Sequence, residues 1–517
     1  MLKGECGTLN NIEVVILEKE NNENNKVSIK LERHRWPDEI AKEKRKKKII
    51  ITVTASVIFS FFLGWQFNRL VSVNGTPSSS GNVAKFERIY NEVVKDWYFT
   101  RDMKDPETEI MDNAIKGMFE MNGDIHSTYM TKDEMLQLNQ SINMDFVGIG
   151  IQYYSGEGAN VVTRVFRDSP AEKAGVKAGD VLVKIDGESI ETWKSDQIKE
   201  HIVGEEGTSV KLEFLRGSET LNMDIVRSRV TAVVWGEIIQ DNIGYLEISS
   251  FGNKLAENTE MYLKDFKDSN VDRLIIDLRD NGGGYLQAIQ EISKLFLDNK
   301  AVVYQEDFTD GKVVSYTTDN SVASQYPFEN IVILINGDTA SASEVMTLAL
   351  SENLNVKTVG VTSYGKGTVQ TQRSFGDQSS IKLTIAKWLS PSGKSIHEVG
   401  IVPDVEVKQA DIFYAQFPQI DENENIPYDS VHGAVSYVQK GLSYLGYHQG
   451  RVDGYYDSAT DAALASFANA VNVPYNKSIN LELTKQVYSA VVRDWSMHKA
   501  ERDVQLNKAI EVVKNGN

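Results

Sequence analysis

From Ile49 to Asn68 the chain reads IIITVTASVIFSFFLGWQFN, twenty consecutive residues without a charge. As a helix this run would extend about 30 Å, the thickness of a bilayer's hydrocarbon core. Six basic residues lie between Lys42 and Lys48, immediately before it, and a positive flank of that kind stays on the cytoplasmic side. A cleavable signal peptide would begin near residue 1 and end in small residues; this run begins at 49 and ends at Trp65, Phe67 and then Arg69. A buried core helix is the plainer alternative, but the basic flank argues against it. The expectation is one uncleaved transmembrane helix over 49–68, with the N-terminus cytoplasmic and the rest extracytoplasmic. That makes a single-pass protein of the cell membrane, of the type found in Gram-positive bacteria.

The 517 residues are enough for three or four domains. Hydrophobic residues at 41% and charged residues at 25% exclude wholesale disorder. A net charge of −18 repels phosphate backbones, so nucleic acid is not an expected partner. Cys6 is the sole cysteine, so no intramolecular disulfide can form and an outer domain must be stable without one. Residues 1–48 read as a cytoplasmic tail, and 69–84, rich in Gly, Ser and Pro, as a linker. Residues 85–145 have helical periodicity, and 146–230 switch to short alternating strands. Residues 231–410 alternate buried-type strands with helices, the pattern of an α/β sheet. A polar, acidic linker over 411–430 leads to a compact segment, 431–495, and a charged helical tail, 496–517.

Three stretches carry chemistry. Within 146–230, Val147-Gly-Ile-Gly-Ile151 is followed by SPAEKAGVKAGD (169–180) and by KIDG (184–187). Glycines there could simply turn the chain. Their spacing also exposes successive backbone N–H groups of Gly148, Ile149, Gly150 and Ile151 to a free peptide carboxylate, beside a strand edge that could accept the peptide as an added strand. This segment resembles a PDZ domain. The second stretch is LIIDLRDNGGG (274–284), a buried strand running into three glycines that let the backbone approach a ligand and offer N–H groups to a developing oxyanion. The third is IVILINGDTASASE (331–344), a strand, a tight turn and a helix.

Ser341 and Glu344 in that third stretch fit an S-x-x-E capping box. The same placement exposes the Ser341 hydroxyl at a helix N-terminus, where N–H groups are free. A nucleophilic serine needs a base, and no histidine stands in a triad motif; His397 is the nearest downstream. Lys366, between Gly365 and Gly367 in YGKGTVQ (364–370), could serve. In an extended segment it shares a face with Thr368 and Gln370, so that Gln370 could hold the amine. A lysine of ordinary pKa is only about 0.04% neutral at pH 7, and lowering its pKa to ~7–8 costs about 3–5 kcal/mol. Burial of the amine would have to supply that.

A PDZ-like segment followed by DLRDNGGG, TASASE and GKGTVQ resembles the carboxy-terminal processing (tail-specific) serine peptidases. The resemblance runs from about Phe86 to Val407, including STYM (127–130) and LTIAKWLSPSGKSIHEVGIVPDVEV (383–407). It implies Ser341 as nucleophile, Lys366 as base and Gln370 as assistant, with no metal and no cofactor. It further implies backbone N–H donors at Ala342 and Gly283. The family's N-N-P-G-G reads Asp280-Asn-Gly-Gly-Gly284 here, so the choice of glycine stays open, and Ser343 is a weaker rival nucleophile. The family's PDZ often carries arginine before an R-G-x-x-G-T turn, where this chain has Val203. That puts any switch through such an arginine in doubt.

The last segment, YVQKGLSYLGYHQGRVDGYYDSAT (437–460), resembles a three-helix peptidoglycan-binding domain, with Tyr447, Asp453 and Tyr455 as the candidate contacts to the wall. The fold class expected is therefore multidomain α+β and α/β. It comprises a transmembrane helix, a helical region, a PDZ β domain, an α/β protease core of the crotonase-like type and a small C-terminal three-helix domain. The expected partners are proteins with accessible C-termini, the membrane and peptidoglycan; the oligomeric state stays open, a homodimer included. A non-catalytic PDZ adaptor tethered to the wall is the alternative, disfavoured because Ser341, Lys366 and Gln370 occur together. An enoyl-CoA hydratase-type enzyme is disfavoured by the PDZ-like segment.

Overall fold

The computed structural model describes residues 81–156 and 159–516. The expected tail (1–48) and transmembrane helix (49–68) lie outside the described residues, as does most of the linker. Among the described residues no helix is long and apolar enough to cross a membrane. The chain divides into two units, 1–111 and 112–517. In the first, helix α1 (Gly81–Asp96) begins within the stretch read as linker. A 3-10 turn follows (Tyr98–Asp102), and the Tyr90 hydroxyl donates to the Glu107 carbonyl at the start of α2 (Pro106–Glu120).

The second unit opens with strand β1 (Thr128–Met130), from STYM, and helix α3 (Lys132–Asn143). Thr131 caps α3 through a box completed by Glu134. Strand β2 (Asp145–Gly148) then pairs with β9 (Ser228–Thr231), forming a two-strand stem beneath the inserted β domain. Within the insert, β3 (Ile151–Gly156), β4 (Ala159–Val165), β5 (Val181–Ile185), β7 (Ser209–Arg216) and β8 (Glu219–Val226) pair in that order, with β6 (Glu188–Ser189) on β5. Helices α4 (Pro170–Ala174) and α5 (Ser195–Ile202) complete it, closing a core that includes Ile149, Leu182, Ile198 and Phe214.

The central sheet runs β10 (Val234–Ile239), β11 (Ile243–Ile248), β12 (Arg273–Asp277), β15 (Asn330–Ile335), β16 (Lys357–Gly360) and β19 (Val405–Glu406). All neighbours pair in parallel except β10 with β11. Parallel strands need cover on both faces, and these read as nearly continuous apolar runs for that reason. Alternate residues divide cleanly between the faces. Leu246, Leu274, Ile276, Ile331 and Ile333 pack against α6 (Leu255–Asp268), α7 (Leu286–Ser293) and α8 (Ala342–Leu354). Tyr245, Ile275, Val332 and Leu334 face the other way. A second sheet has β18 (Ser380–Leu389) at its hub, paired antiparallel with β1, β13 (Val302–Phe308) and β17 (Thr368–Ser374), while β14 (Val313–Thr317) pairs with β13.

The C-terminal module holds three helices, α9 (Gly433–Tyr444), α10 (Ser458–Ala470) and α11 (Leu481–Arg502), as expected for this class of domain. Two expectations at its borders fail. The segment read as linker is built in: Ile412 and Ile426 are buried, and β20 (Ile426–Pro427) pairs with β21 (Ser478–Ile479). Nor is 496–517 a tail. Helix α11 continues to Arg502, and α12 (Val504–Asn515) lays Leu506, Ala509, Ile510 and Val513 on Tyr245, Ile275, Val332 and Leu334. The last helix of the chain is thus the cover over the second face of the central sheet. The three-helix module is inserted between β19 and that helix.

Candidate active site

Ser341 stands where β15 has ended and α8 begins, with φ of 56° and ψ of −117°. That is a strained backbone for a non-glycine residue, and it persists only where surrounding contacts hold it. Glu344, one turn into α8 and fully buried, is the main such contact. Its carboxylate accepts from the Ser341 N–H at 2.8 Å, the half of the capping box visible in the sequence. It also accepts from the Ser363 hydroxyl (2.6 Å), the Gly365 N–H (2.6 Å) and the Lys366 N–H (2.9 Å). Ser363 in turn accepts from the Ile401 N–H at 2.7 Å. One carboxylate therefore ties the backbones of Ser341 and Lys366 to a common point. The sequence alone hinted only at the local half of this, because the other donors lie 19 to 22 residues further on.

The glycines around Lys366 admit a neighbouring segment. A Cβ on Gly367 would lie 2.6 Å from the His397 Cβ, and one on Gly365 2.7 Å from the Gly400 nitrogen. Trp388 clamps the loop by donating its indole N–H to the Lys366 carbonyl at 2.8 Å. The Lys366 amine has no hydrogen-bond or ion-pair partner among the described residues. Burial holds its pKa below the ordinary lysine value, and the nearby Lys382 cation lowers it further; Glu344 and Asp124 pull the other way. Lys366, Lys382, Ser341 and Gln370 all line one cleft of about 650 Å³. The cleft runs between α3 (Met135, Leu138, Asn139) and β17.

The rival nucleophile is removed by its surroundings. Ser343 is fully buried and its hydroxyl donates to the Asn281 carbonyl at 2.9 Å. Gln370 reaches the cleft, but its side-chain amide donates to the Thr368 hydroxyl at 2.8 Å rather than to Lys366. The register irregularity beside it lies in β18, where Ile385 is the extra residue, and β17 itself runs on without an insertion. Ala342, first residue of α8, has an N–H with no intrahelical acceptor. Gly283 lies against it: a Cβ there would be 2.9 Å from the Ala342 nitrogen and from the Ser341 Cβ, so only glycine fits. Yet the Gly283 N–H donates to the Asn281 side-chain carbonyl at 2.9 Å, and would have to leave it to serve an oxyanion.

In the β domain, Gly148 ends β2, Ile149 is buried, Gly150 has φ of 82° and Ile151 opens β3. Among the described residues strand β3 pairs with β4 alone. Across the domain Arg227, unremarked in the sequence, is buried beneath the turn that begins at Val203. It donates to the His201 and Ile202 carbonyls, the Thr208 hydroxyl and the Ser209 carbonyl. It fixes the end of α5 and the turn. In the C-terminal module the three candidate residues are separately engaged. Tyr447 packs edge-on to Phe467, Asp453 is held by Arg451 and the Tyr455 hydroxyl donates to Asp429.

Comparisons with known proteins match three segments of the chain. The profile described as "Peptidase family S41" matches residues 242–407, "PDZ domain" matches 161–216 and "Putative peptidoglycan binding domain" matches 431–474. The carboxy-terminal processing protease CtpA of Bacillus subtilis (strain 168) is 31% identical over 471 residues, 90% of this chain and 97% of that protein. A probable CtpA-like serine protease of Staphylococcus haemolyticus (strain JCSC1435) is 32% identical over 448 residues, covering 84% and 86% respectively. With both relatives matched over nearly their whole length, the chain belongs to the CtpA-like carboxy-terminal processing serine proteases of peptidase family S41.

Proposed function

We propose that the chain is a membrane-anchored extracytoplasmic serine endopeptidase in which Ser341 is the nucleophile and Lys366 the general base. The observation that carries this reading is the shared anchorage of the two residues on the Glu344 carboxylate. It is joined by a Lys366 amine that lacks a partner among the described residues and whose pKa is lowered. A neutral Lys366 takes the proton as Ser341 Oγ attacks the peptide carbonyl, then returns it to the leaving amine; water resolves the acyl-enzyme by the reverse path. The Ala342 N–H receives the oxyanion, joined by the Gly283 N–H once it releases Asn281. Gln370 orders the Lys366 side of the cleft through Thr368. Among the described residues strand β17 pairs on one side only, with β18. Its free edge can hold an extended substrate across Ser341.

Substrates are recognised at their C-termini, the carboxylate meeting the N–H groups of Gly148 to Ile151 and the chain adding to the open edge of β3. Residues 49–68 anchor the enzyme with residues 1–48 in the cytoplasm, and 431–495 hold it to peptidoglycan. The wall contact cannot be tested by truncating the module, because α12 would be lost with it. Replacing both Tyr447 and Tyr455 with alanine should lower sedimentation with purified peptidoglycan while leaving cleavage of a soluble substrate intact. Undiminished sedimentation would remove those two residues from the wall contact. Protease added to protoplasts should leave a short protected N-terminal fragment; a protected peptidase domain would reverse the topology.

Two kinetic outcomes follow for the chemistry. Ser341→Ala, Lys366→Ala and Lys366→Arg should each fold and each fail to cleave an unfolded protein, the last because arginine stays protonated. An active arginine variant contradicts a lysine base. The rising limb of kcat/KM against pH should lie below the ordinary lysine range. Because the Lys382 cation disfavours protonation of Lys366, Lys382→Met should move that limb to higher pH. An unmoved limb would separate the titrating group from Lys366.

A further inference from the structure

The loop that carries the oxyanion glycines begins at Arg279, and Arg279 is held from outside the peptidase domain. Its guanidinium binds Asp277, the last residue of β12, through contacts as short as 2.6 Å. It also binds Asp503 in fork fashion at 2.8 and 2.9 Å, and Gln505 at 3.1 Å. Side-chain exposure is 9% for Arg279, 4% for Asp277 and none for Asp503. Asp503 is the single residue joining α11 of the C-terminal module to α12, and its carboxylate also caps α12 at the Leu506 N–H and accepts from Gln409 at 2.6 Å. Around this centre acidic and basic groups interleave, with Glu237 also near Arg164 and Lys499. Asp277, Asp503 and Glu247 face Arg279, Arg164 of the β domain and Lys499 of α11, with Arg164 and Lys499 both on Glu247.

Between Asp277 and Leu286 the chain has no regular secondary structure apart from one isolated bridge at Gly284. Its path is set at two places. Asn281 fixes the near end: its carbonyl accepts from the Ala340 N–H and the Ser343 hydroxyl, and its side chain donates to the Ile248 carbonyl. Arg279 fixes the far end, aided by Asp280, whose N–H meets Asn336 at 3.0 Å. Gly283 must leave the Asn281 side-chain carbonyl to receive an oxyanion, and the loop then adjusts between two held points, Asn281 on one side and Arg279 on the other. We infer that Asp503 is a positioning residue for the oxyanion loop, acting through Arg279, so that catalysis depends on how the C-terminal module delivers α12 to the sheet. Buried bidentate pairs of this kind fix orientation as well as energy, and small displacements of a catalytic loop carry large rate costs. The inference rests on Ser341 chemistry with an oxyanion donated from this loop.

The test is Asp503→Asn in the full chain, assayed on a peptide substrate beside wild type and Ser341→Ala. Asparagine keeps the cap on α12 but removes the charge opposite Arg279. The expected result is a folded protein with kcat lowered about tenfold or more and KM within about twofold. Reaction of Ser341 with a phosphonylating reagent, which also develops an oxyanion, should slow in parallel. Wild-type kcat with a lowered melting temperature, or a change confined to KM, would overturn the inference and leave Asp503 with a purely structural role. If Asp503→Asn does not fold, Gln505→Leu loosens the same guanidinium and leaves the ion pair. It should lower kcat about threefold at unchanged KM, and wild-type kcat there would overturn the inference equally. Activity persisting in Ser341→Ala would instead defeat the assignment of the nucleophile, whatever Asp503→Asn does.

Discussion

The buried Glu344 carboxylate is the point on which the geometry of the site converges. Ser341 sits at a backbone conformation that an isolated serine avoids, and Lys366 sits on a loop between two glycines with no sheet partner of its own. Neither placement sustains itself. Glu344 accepts from both backbones and from Ser363 and Gly365 between them, so an acceptor-only group with four lone-pair sites is fully used. Because it sits in the first turn of α8, its position is in turn set by the helix packing on the sheet through Val345, Met346 and Ala349. Ser341, Lys366 and the core are thereby linked by one side chain.

The sheet under that helix depends on a segment far away in the chain. A parallel sheet with one bare apolar face is not stable in water, and the cover for the second face is α12, which follows the three-helix module in the chain. The module is therefore an insertion within the peptidase fold rather than an appendage to it. Its exit residue, Asp503, meets the loop leaving β12. The β domain is tied to the same centre, since Arg164 binds Glu247 with two bonds at 2.6 and 2.7 Å and stacks on Trp235. The β domain, the three-helix module and the loop leaving β12 thus share one block of buried charge.

Much of this was legible in the sequence wherever a local pattern was sufficient. The apolar runs 274–278 and 331–335 read as buried strands because both faces of each are covered, and S-x-x-E read as a helix start. What escaped depended on distant partners. Residues 504–515 place apolar side chains at 506, 509, 510 and 513, an amphipathic pattern that any surface helix could have and that does not name the sheet it covers. The run 411–430 reads as an acidic linker on composition, yet Ile412 and Ile426 are buried and Ile426 packs into the core of the module. The three remaining Glu344 donors, the commitment of the Gly283 N–H to Asn281 and the burial of Ser343 all rest on contacts between segments. Spacing along the chain cannot reveal them. Nor does the alternation that puts Gln370 on one face with Thr368 reveal that its amide donates to that hydroxyl.

The most direct measurement of this account is single-turnover acylation of Ser341 in Glu344→Gln. Glutamine has nearly the same shape but only one acceptor oxygen, and its amide group would point donors at donors, so the Ser341 turn and the Lys366 loop could no longer share an anchor. The account predicts a folded protein whose acylation rate falls by about a hundredfold or more, the scale expected when reacting groups are displaced by an ångström. Substrate affinity should change little. An acylation rate within a fewfold of wild type in the folded variant would contradict it, because nucleophile and base would then hold their geometry without the carboxylate.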